Sequence, residues 1–179
     1  FKQAKYTLLD QNTFWLCEKP DSVGMVGWDA ALTRIATWVK LQDKKTGQIL
    51  MVVNTHFDHI GTEARRNSAL LIIEKIKEIV GTSPAILTGD FNVSEDWDAY
   101  KTITNNEFIL KDAHKVAGKR TGVDFTYHNF GKIPAEKCEK IDFIFVTPQI
   151  RVISSYIPFS QLNDTLFLSD HNPEIVELE

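Results

Sequence analysis

Short runs of β-branched and apolar residues alternate with amphipathic stretches along almost the whole chain, and the runs tend to end in polar residues. "TRIATWVKL" (33–41) and "QILMVVNTHF" (48–57) flank "QDKKTG", where Gly47 suits the turn of a hairpin. Between Thr62 and Val80, apolar residues at Ala69, Leu70, Ile73, Ile76, Ile79 and Val80 recur at helical spacing. This predicts an amphipathic helix with Thr62 near its N-cap and Gly81 just past its end. "PAILTGDFN" (84–92) reads as a short apolar strand, followed by a short helix from about Ser94 with Trp97, Tyr100 and Ile103 on one face. Further strands are predicted at "DFTYHNF" (124–130), "KIDFIFV" (140–146), "VISSYI" (152–157) and, after the loop "LSDHNP", at "EIVEL". No repeat, low-complexity tract or Pro/Gly/Ser linker divides the chain. Strands interleaved with helices over 179 residues predict one α/β (α+β) domain, residues 1–179, of mixed sheets covered by helices.

Six polar residues fall where these runs end or begin: His56, Asp90, Asn92, Asp142, Asp170 and His171. A single Asp at a strand end is ordinarily a turn or capping residue, whereas six such positions point to a shared site. Asp90 and Asn92 are two apart, so in extended chain they project to the same face. A carboxylate suits a hard divalent cation, and an amide suits positioning of a nucleophile or a phosphate oxygen. Asp142 sits among apolar neighbours and requires a partner. An Asp–His pair can form a general base in which the carboxylate orients the imidazole; Asp142 could orient His171, leaving Asp170 for a metal.

The densest cluster is "NTHFDHIG" (54–61). It superficially matches the H-x-H-x-D-H signature of dinuclear zinc hydrolases, but its first His is too close and a second is lacking. For His56 a metal, a substrate contact and a strand end all stay open at this point, and Asp58 and His59 read as local scaffolding or outer-shell groups. His114 and His128 lie off the pattern and are expected at the surface or hydrogen-bonded, and His59, Arg65 and Arg66 are expected on a solvated helix face, with contact to a substrate phosphate as the alternative. A net charge of −4 advertises no sequence-independent grip on nucleic acid or anionic membrane. No run reaches the ~18 apolar residues of a membrane span. Cys17 and Cys138 lack metal-ligand spacing and are expected as unlinked buried thiols.

In order, "NTHFDH", "ILTGDFN", "TYHN", "KIDFIFV" and "LSDHNP" resemble the successive motifs of the endonuclease/exonuclease/phosphatase superfamily, the group of pancreatic deoxyribonuclease, apurinic endonucleases, poly(A) deadenylases and bacterial sphingomyelinases. The resemblance implies a four-layer α/β sandwich of two packed mixed β-sheets flanked by helices. It also implies hydrolysis of phosphate esters by in-line attack of an activated water, with Mg2+ as cofactor and Mn2+ or Ca2+ as alternatives. On the matching positions, His56 resembles the histidine that contacts the scissile phosphate, and Asp90 and Asn92 the pair that orients water and phosphate. Asp142 and His171 resemble the orienting dyad, Asp170 a metal ligand, and Arg34 a phosphate-binding arginine.

The family's first-strand Asn and the Glu of its "LQE"-like motif have no counterpart here, and "FKQAKYTLLDQNTFWLCEKP" resembles a mid-domain hairpin. The expectation is an N-terminally incomplete domain, lacking its first strands, with weak metal affinity and poor activity alone. The expected activity is a nuclease-like phosphodiesterase. A phosphomonoesterase of a small sugar or lipid phosphate, or a non-catalytic binding protein on the same fold, are the alternatives. Nucleic acid is among the partners the resemblance allows, the chain is expected to be monomeric, and no compartment is assigned.

Overall fold

Two mixed sheets organise the computed structural model, which describes residues 1–106, 108, 110–163 and 166–179. Strands β1 (Tyr6–Trp15), β2 (Ile35–Asp43) and β3 (Ile49–His56) form an antiparallel series. The β2–β3 hairpin turns at Gly47, whose φ of 74° favours a residue without Cβ. From β3 the chain crosses through α1 (Thr62–Val80) to β4 (Ala85–Asp90), which lies parallel to β3. Next come α2 (Asp98–Thr104), the two-residue β5 (Lys111–Asp112), α3 (Ala113–Val116), β6 (Lys119–Gly122) and β7 (Asp142–Val146). The chain ends with β8 (Val152–Ile157), β9 (Gln161–Asn163), β10 (Leu166–Phe167) and β11 (Ile175–Leu178). The larger sheet has the order β1-β2-β3-β4-β7-β5 and the smaller β11-β8-β6, while β9 and β10 form a separate hairpin.

Alternation along the strands decides which face is covered. On β2 and β3 the residues buried on one face are Ala36, Trp38, Met51, Val53 and Thr55, with Asn54 and His56 exposed on the other side. The buried face packs against Ala69, Ile72, Ile73 and Ile76 of α1 and Tyr100 and Ile103 of α2. Phe91 sits at the centre, edge-on to Phe57 at 4.9 Å and to Phe145 at 5.2 Å between ring centroids. A smaller core joins the sheets: Val146 with Ile86 and Ile144 of the larger meets Val152, Val176 and Leu178 of the smaller. This is the mixed two-sheet α/β architecture implied by the motifs. Among the described residues no helix is long and apolar enough to cross a membrane.

Several local expectations change. The first turn of α1 is capped by Asp29 and not by Thr62: its carboxylate accepts the amides of Ala64 at 2.7 Å and Glu63 at 3.2 Å. Helix α2 begins at Asp98, so Trp97 is the exposed N-cap residue and does not share the buried face of Tyr100 and Ile103. Residues 124–130 are not a strand. Asn129 and Phe130 adopt φ of 48° and 54°, which turns the chain, and only Tyr127 makes isolated bridges, to Glu139 and His171. A strand absent from the expectation, β6, instead pairs parallel with β8. The first residues form not a hairpin but the single strand β1, paired with β2. Cys17 is buried, Cys138 half-buried, and both are free.

Gly89 allows β4 to lie against β3, because a Cβ there would stand 2.1 Å from the carbonyl oxygen of Thr55. Gly89→Ala is therefore expected to lower stability by about 2 kcal/mol through overpacking. Urea unfolding should show a lower midpoint at unchanged slope, and an unchanged midpoint would remove this contact as a constraint.

Candidate active site

Register builds the centre of the site. His56 is the partner of Asp90 across β3 and β4, and Asp90 is the partner of Asp142 across β4 and β7. Three polar residues thus stand abreast at one end of the larger sheet. His56 Nε2 lies 3.3 Å from Asp90 Oδ2. His171, from the loop before β11, completes the group: its Nδ1 is 2.7 Å from Asp142 Oδ2 and its Nε2 is 4.0 Å from Asp90 Oδ2. A cavity of about 460 Å3 opens beside them, lined by Asn54, His56, Asp90, Asp142 and Glu174 among others.

Asn92 reaches the site by another route than extended geometry. Strand β4 ends at Asp90, and Asn92 adopts φ of 50°, a left-handed conformation that Asn tolerates. Its amide N–H donates to Asp90 Oδ1 at 2.9 Å, and its side-chain Nδ2 donates to the Phe57 carbonyl at 3.0 Å. The first bond turns the chain and fixes the Asp90 carboxylate together.

The charges are mutually perturbing. Burial raises the Asp90 carboxyl above its ordinary value, and the neighbouring Asp142 raises it further, against the Asn92 amide and the two imidazoles. Burial lowers His56, while the hydrogen bond to Asp142 raises His171. The two imidazoles are thereby pushed in opposite directions, one toward the neutral form and the other toward the cation.

Asp58 is a structural hub. Only 2% exposed, its carboxylate accepts the amides of Ala31, Leu32, Ile60 and Gly61 at 2.7 to 3.1 Å. Arg34 Nε lies 3.7 Å from Asp58 Oδ2, and Arg34 Nη2 meets His59 Nδ1 at 3.2 Å. Arg34 also lines a small cleft that includes His56, so its guanidinium is carried to the edge of the site. Arg65 is buried and donates to the Asp58 carbonyl at 3.0 Å, which corrects its expected place on a solvated helix face; Arg66 is exposed as expected. His114 and His128 are both buried: His114 bonds Ser155 Oγ at 2.8 Å, and His128 accepts the Gly131 amide at 3.0 Å.

Asp170 stands apart from the central group. Its carbonyl accepts the amides of His128 and Asn129, and its carboxylate meets Ser169 Oγ at 3.3 Å. Among the described residues, the group whose ligand atoms all lie within 4.8 Å of one another is Asp90, Asp142 and His171. Two carboxylates and one imidazole are a donor set that could hold a divalent cation.

Some supporting residues had no functional reading in the sequence. Thr126 Oγ1 accepts the amides of Ile141 and Asp142, and its carbonyl accepts the amide of Asn172. Tyr127 packs its ring against His171 with centroids 4.9 Å apart. The "TYHN" segment thus splices the start of β7 to the loop that carries His171. Its only sequence signal was the motif itself.

The sequence model described as "Endonuclease/Exonuclease/phosphatase family" matches residues 6–171, which include His56, Asp90, Asn92, Asp142 and His171. The chain belongs to the endonuclease/exonuclease/phosphatase family. A family structure from Bacteroides vulgatus is 64% identical at a TM-score of 0.95, covering 100% of this chain and 68% of that one. A mannosyl-6-phosphatase of Bacteroides thetaiotaomicron is 35% identical at a TM-score of 0.89, covering 100% of this chain and 69% of that one. An uncharacterised protein of Acanthamoeba polyphaga mimivirus is 30% identical over 175 residues, covering 92% of this chain; the match spans 63% of the viral protein.

Burial alone would raise the Asp58 carboxyl, but the Gly61, Ile60, Ala31 and Leu32 amides outweigh it and hold it far below its ordinary value of 3.8. A lowered carboxyl contributes stability that is complete above the unfolded value and disappears as pH falls beneath it. Asp58→Asn is expected to cost about 2 kcal/mol at neutral pH. Its unfolding curve should also lose part of the wild-type decline below about pH 4. Parallel acid profiles for the two proteins would contradict this account.

Proposed function

We propose that this site hydrolyses phosphate esters with a divalent cation, Mg2+ or else Mn2+ or Ca2+. The observation that carries the reading is the row His56–Asp90–Asp142 closed by His171. Asp90 would hold the cation with Asp142 beside it and Asp170 the ligand added by the family resemblance, while His171, acting as an imidazolium, stays outside the ligand set. When bound, the cation supplies Lewis-acid polarisation of the phosphoryl group and offsets its charge.

The chain's own residues do the rest. Asp90, fixed by the Asn92 amide, orients the attacking water and takes its proton. Asn92 and Arg34 position the phosphate. His171, kept protonated by Asp142, donates toward the developing charge on oxygen, and neutral His56 contacts the scissile phosphate from the opposite side.

For the substrate, motif resemblance alone suggests a nuclease-like phosphodiesterase. The 35% identity to a mannosyl-6-phosphatase favours the second reading, a phosphate monoester on a sugar. The net charge of −4 agrees with a small substrate over a long polyanion. Mannose 6-phosphate, p-nitrophenyl phosphate and bis(p-nitrophenyl) phosphate, each with Mg2+ and with EDTA, separate the two. Hydrolysis confined to the diester would reverse the preference, and hydrolysis undiminished by EDTA would remove the metal.

His171→Ala should lower kcat by roughly two to four orders of magnitude, and wild-type turnover in that variant would sink the mechanism. Because His171 acts protonated and the Asp142 hydrogen bond raises its pKa above the ordinary 6.5, activity should decline on the alkaline side of that value. In Asp142→Asn that decline should move to lower pH; an unmoved limb would assign it to another group.

A further inference from the structure

Lys140, at the entry to β7, is buried with its side chain 6% exposed, and its charge is used by nothing in the mechanism above. Its Nζ donates to the carbonyl of Asp142 at 2.9 Å and lies 2.9 Å from Glu174 Oε2 and 4.0 Å from Asp112 Oδ1. The ammonium also sits 3.9 Å from the centre of the Phe143 ring. Each counter-charge is itself anchored. Glu174 Oε1 accepts from Ser155 Oγ of β8 at 3.3 Å. Asp112 accepts from the Tyr100 hydroxyl at 3.1 Å and the His114 amide at 2.9 Å.

A buried ammonium is expensive unless paired, and apolar residues of similar volume fill such positions with equal or better stability. Stability alone therefore does not explain a charge here. What the charge adds is geometry. Asp142 has its amide held by Thr126 Oγ1 and its carbonyl by Lys140, so its peptide is fixed on both sides. Glu174 lies three residues past His171, and Asn172 between them donates its amide to the Thr126 carbonyl at 2.7 Å. The segments carrying the two dyad members are thus tied to one cation and one threonine.

We propose that Lys140 is a positioning residue, a buried strut that ties Asp142 to Glu174 and so holds the Asp142–His171 hydrogen bond in place. The catalytic importance of that bond rests on the hydrolase reading; the strut itself does not.

The test compares Lys140→Met, Lys140→Arg and Glu174→Gln with the wild type, using the imidazole 15N shifts of His171 and steady-state kinetics. The shifts report whether Nδ1 keeps its proton toward Asp142, and they need no substrate. In folded Lys140→Met the shifts should move toward those of free histidine, and kcat on p-nitrophenyl phosphate should fall between roughly ten- and a hundredfold at unchanged KM. Lys140→Arg, which keeps the charge and donors, should recover most of both. Wild-type shifts in folded Lys140→Met would overturn the proposal, because a residue that only stabilises the fold does not alter the hydrogen bond at His171 Nδ1 in a folded protein. Should Lys140→Met not fold, Glu174→Gln is decisive: the proposal requires its His171 shifts to move, and wild-type shifts there overturn it. A wild type with the bonded tautomer but no hydrolysis of any phosphate ester would refute the hydrolase reading and leave the strut standing.

Discussion

Everything at the site depends on the register of β3, β4 and β7. His56, Asp90 and Asp142 come from positions 34 and 52 residues apart in sequence, and only the pairing of three adjacent strands sets them abreast. Side chains alternate along a strand, so a slip of one residue would exchange the core face for the site face. The burial of Met51, Val53 and Leu87 forbids that slip, since it would bring Asn54 and His56 against α1. Close approach at Gly89 reinforces the same register. Apolar packing on one face of the sheet therefore specifies polar chemistry on the other.

Beyond the sheet, charged side chains perform work that secondary structure cannot. The loop from 28 to 34 and the turn from 58 to 61 have amides with no strand or helix to satisfy them, and a buried amide without a partner is costly. Asp58 takes four of them and Asp29 takes two more at the start of α1. Since Asp58 also faces Arg34, the same carboxylate that closes the loop delivers a guanidinium to the edge of the site. A residue in the most metal-like cluster of the sequence thus acts on backbone and on a neighbouring cation.

The sequence disclosed the elements whose signal is local. Strands 140–146 and 152–157, the hairpin at Gly47 and the helix from Thr62 to Val80 all depend on periodicity and turn chemistry, and they lie where expected. The structure brings His56, Asp90, Asn92, Asp142 and His171 together, because strand ends that share one edge of a sheet converge. What stayed hidden depends on non-local partners or on unusual backbone. The alternation in 124–130 looks extended, yet positive φ at Asn129 and Phe130 bends it into a splice between two loops. Asn92 was placed by a two-residue repeat that ends at Asp90. The burial of Arg65, His114 and His128 follows from contacts with Asp58, Ser155 and Gly131, none of which composition or spacing reveals.

The electrostatics of the row explain why stability and chemistry are divided between two faces. Asp90 and Asp142 stand on adjacent strands, and like charges so placed destabilise each other. The upward shift of Asp90 comes first from burial, with that repulsion added. His171 relieves Asp142 by a direct hydrogen bond, and Asn92 relieves Asp90 through its amide. Asp90 nevertheless remains shifted upward, so the relief is incomplete. A protein whose apolar core and Asp58 hub lie elsewhere can tolerate that residue of unbalanced negative charge. It is also the property that the cation of the proposed hydrolysis would offset.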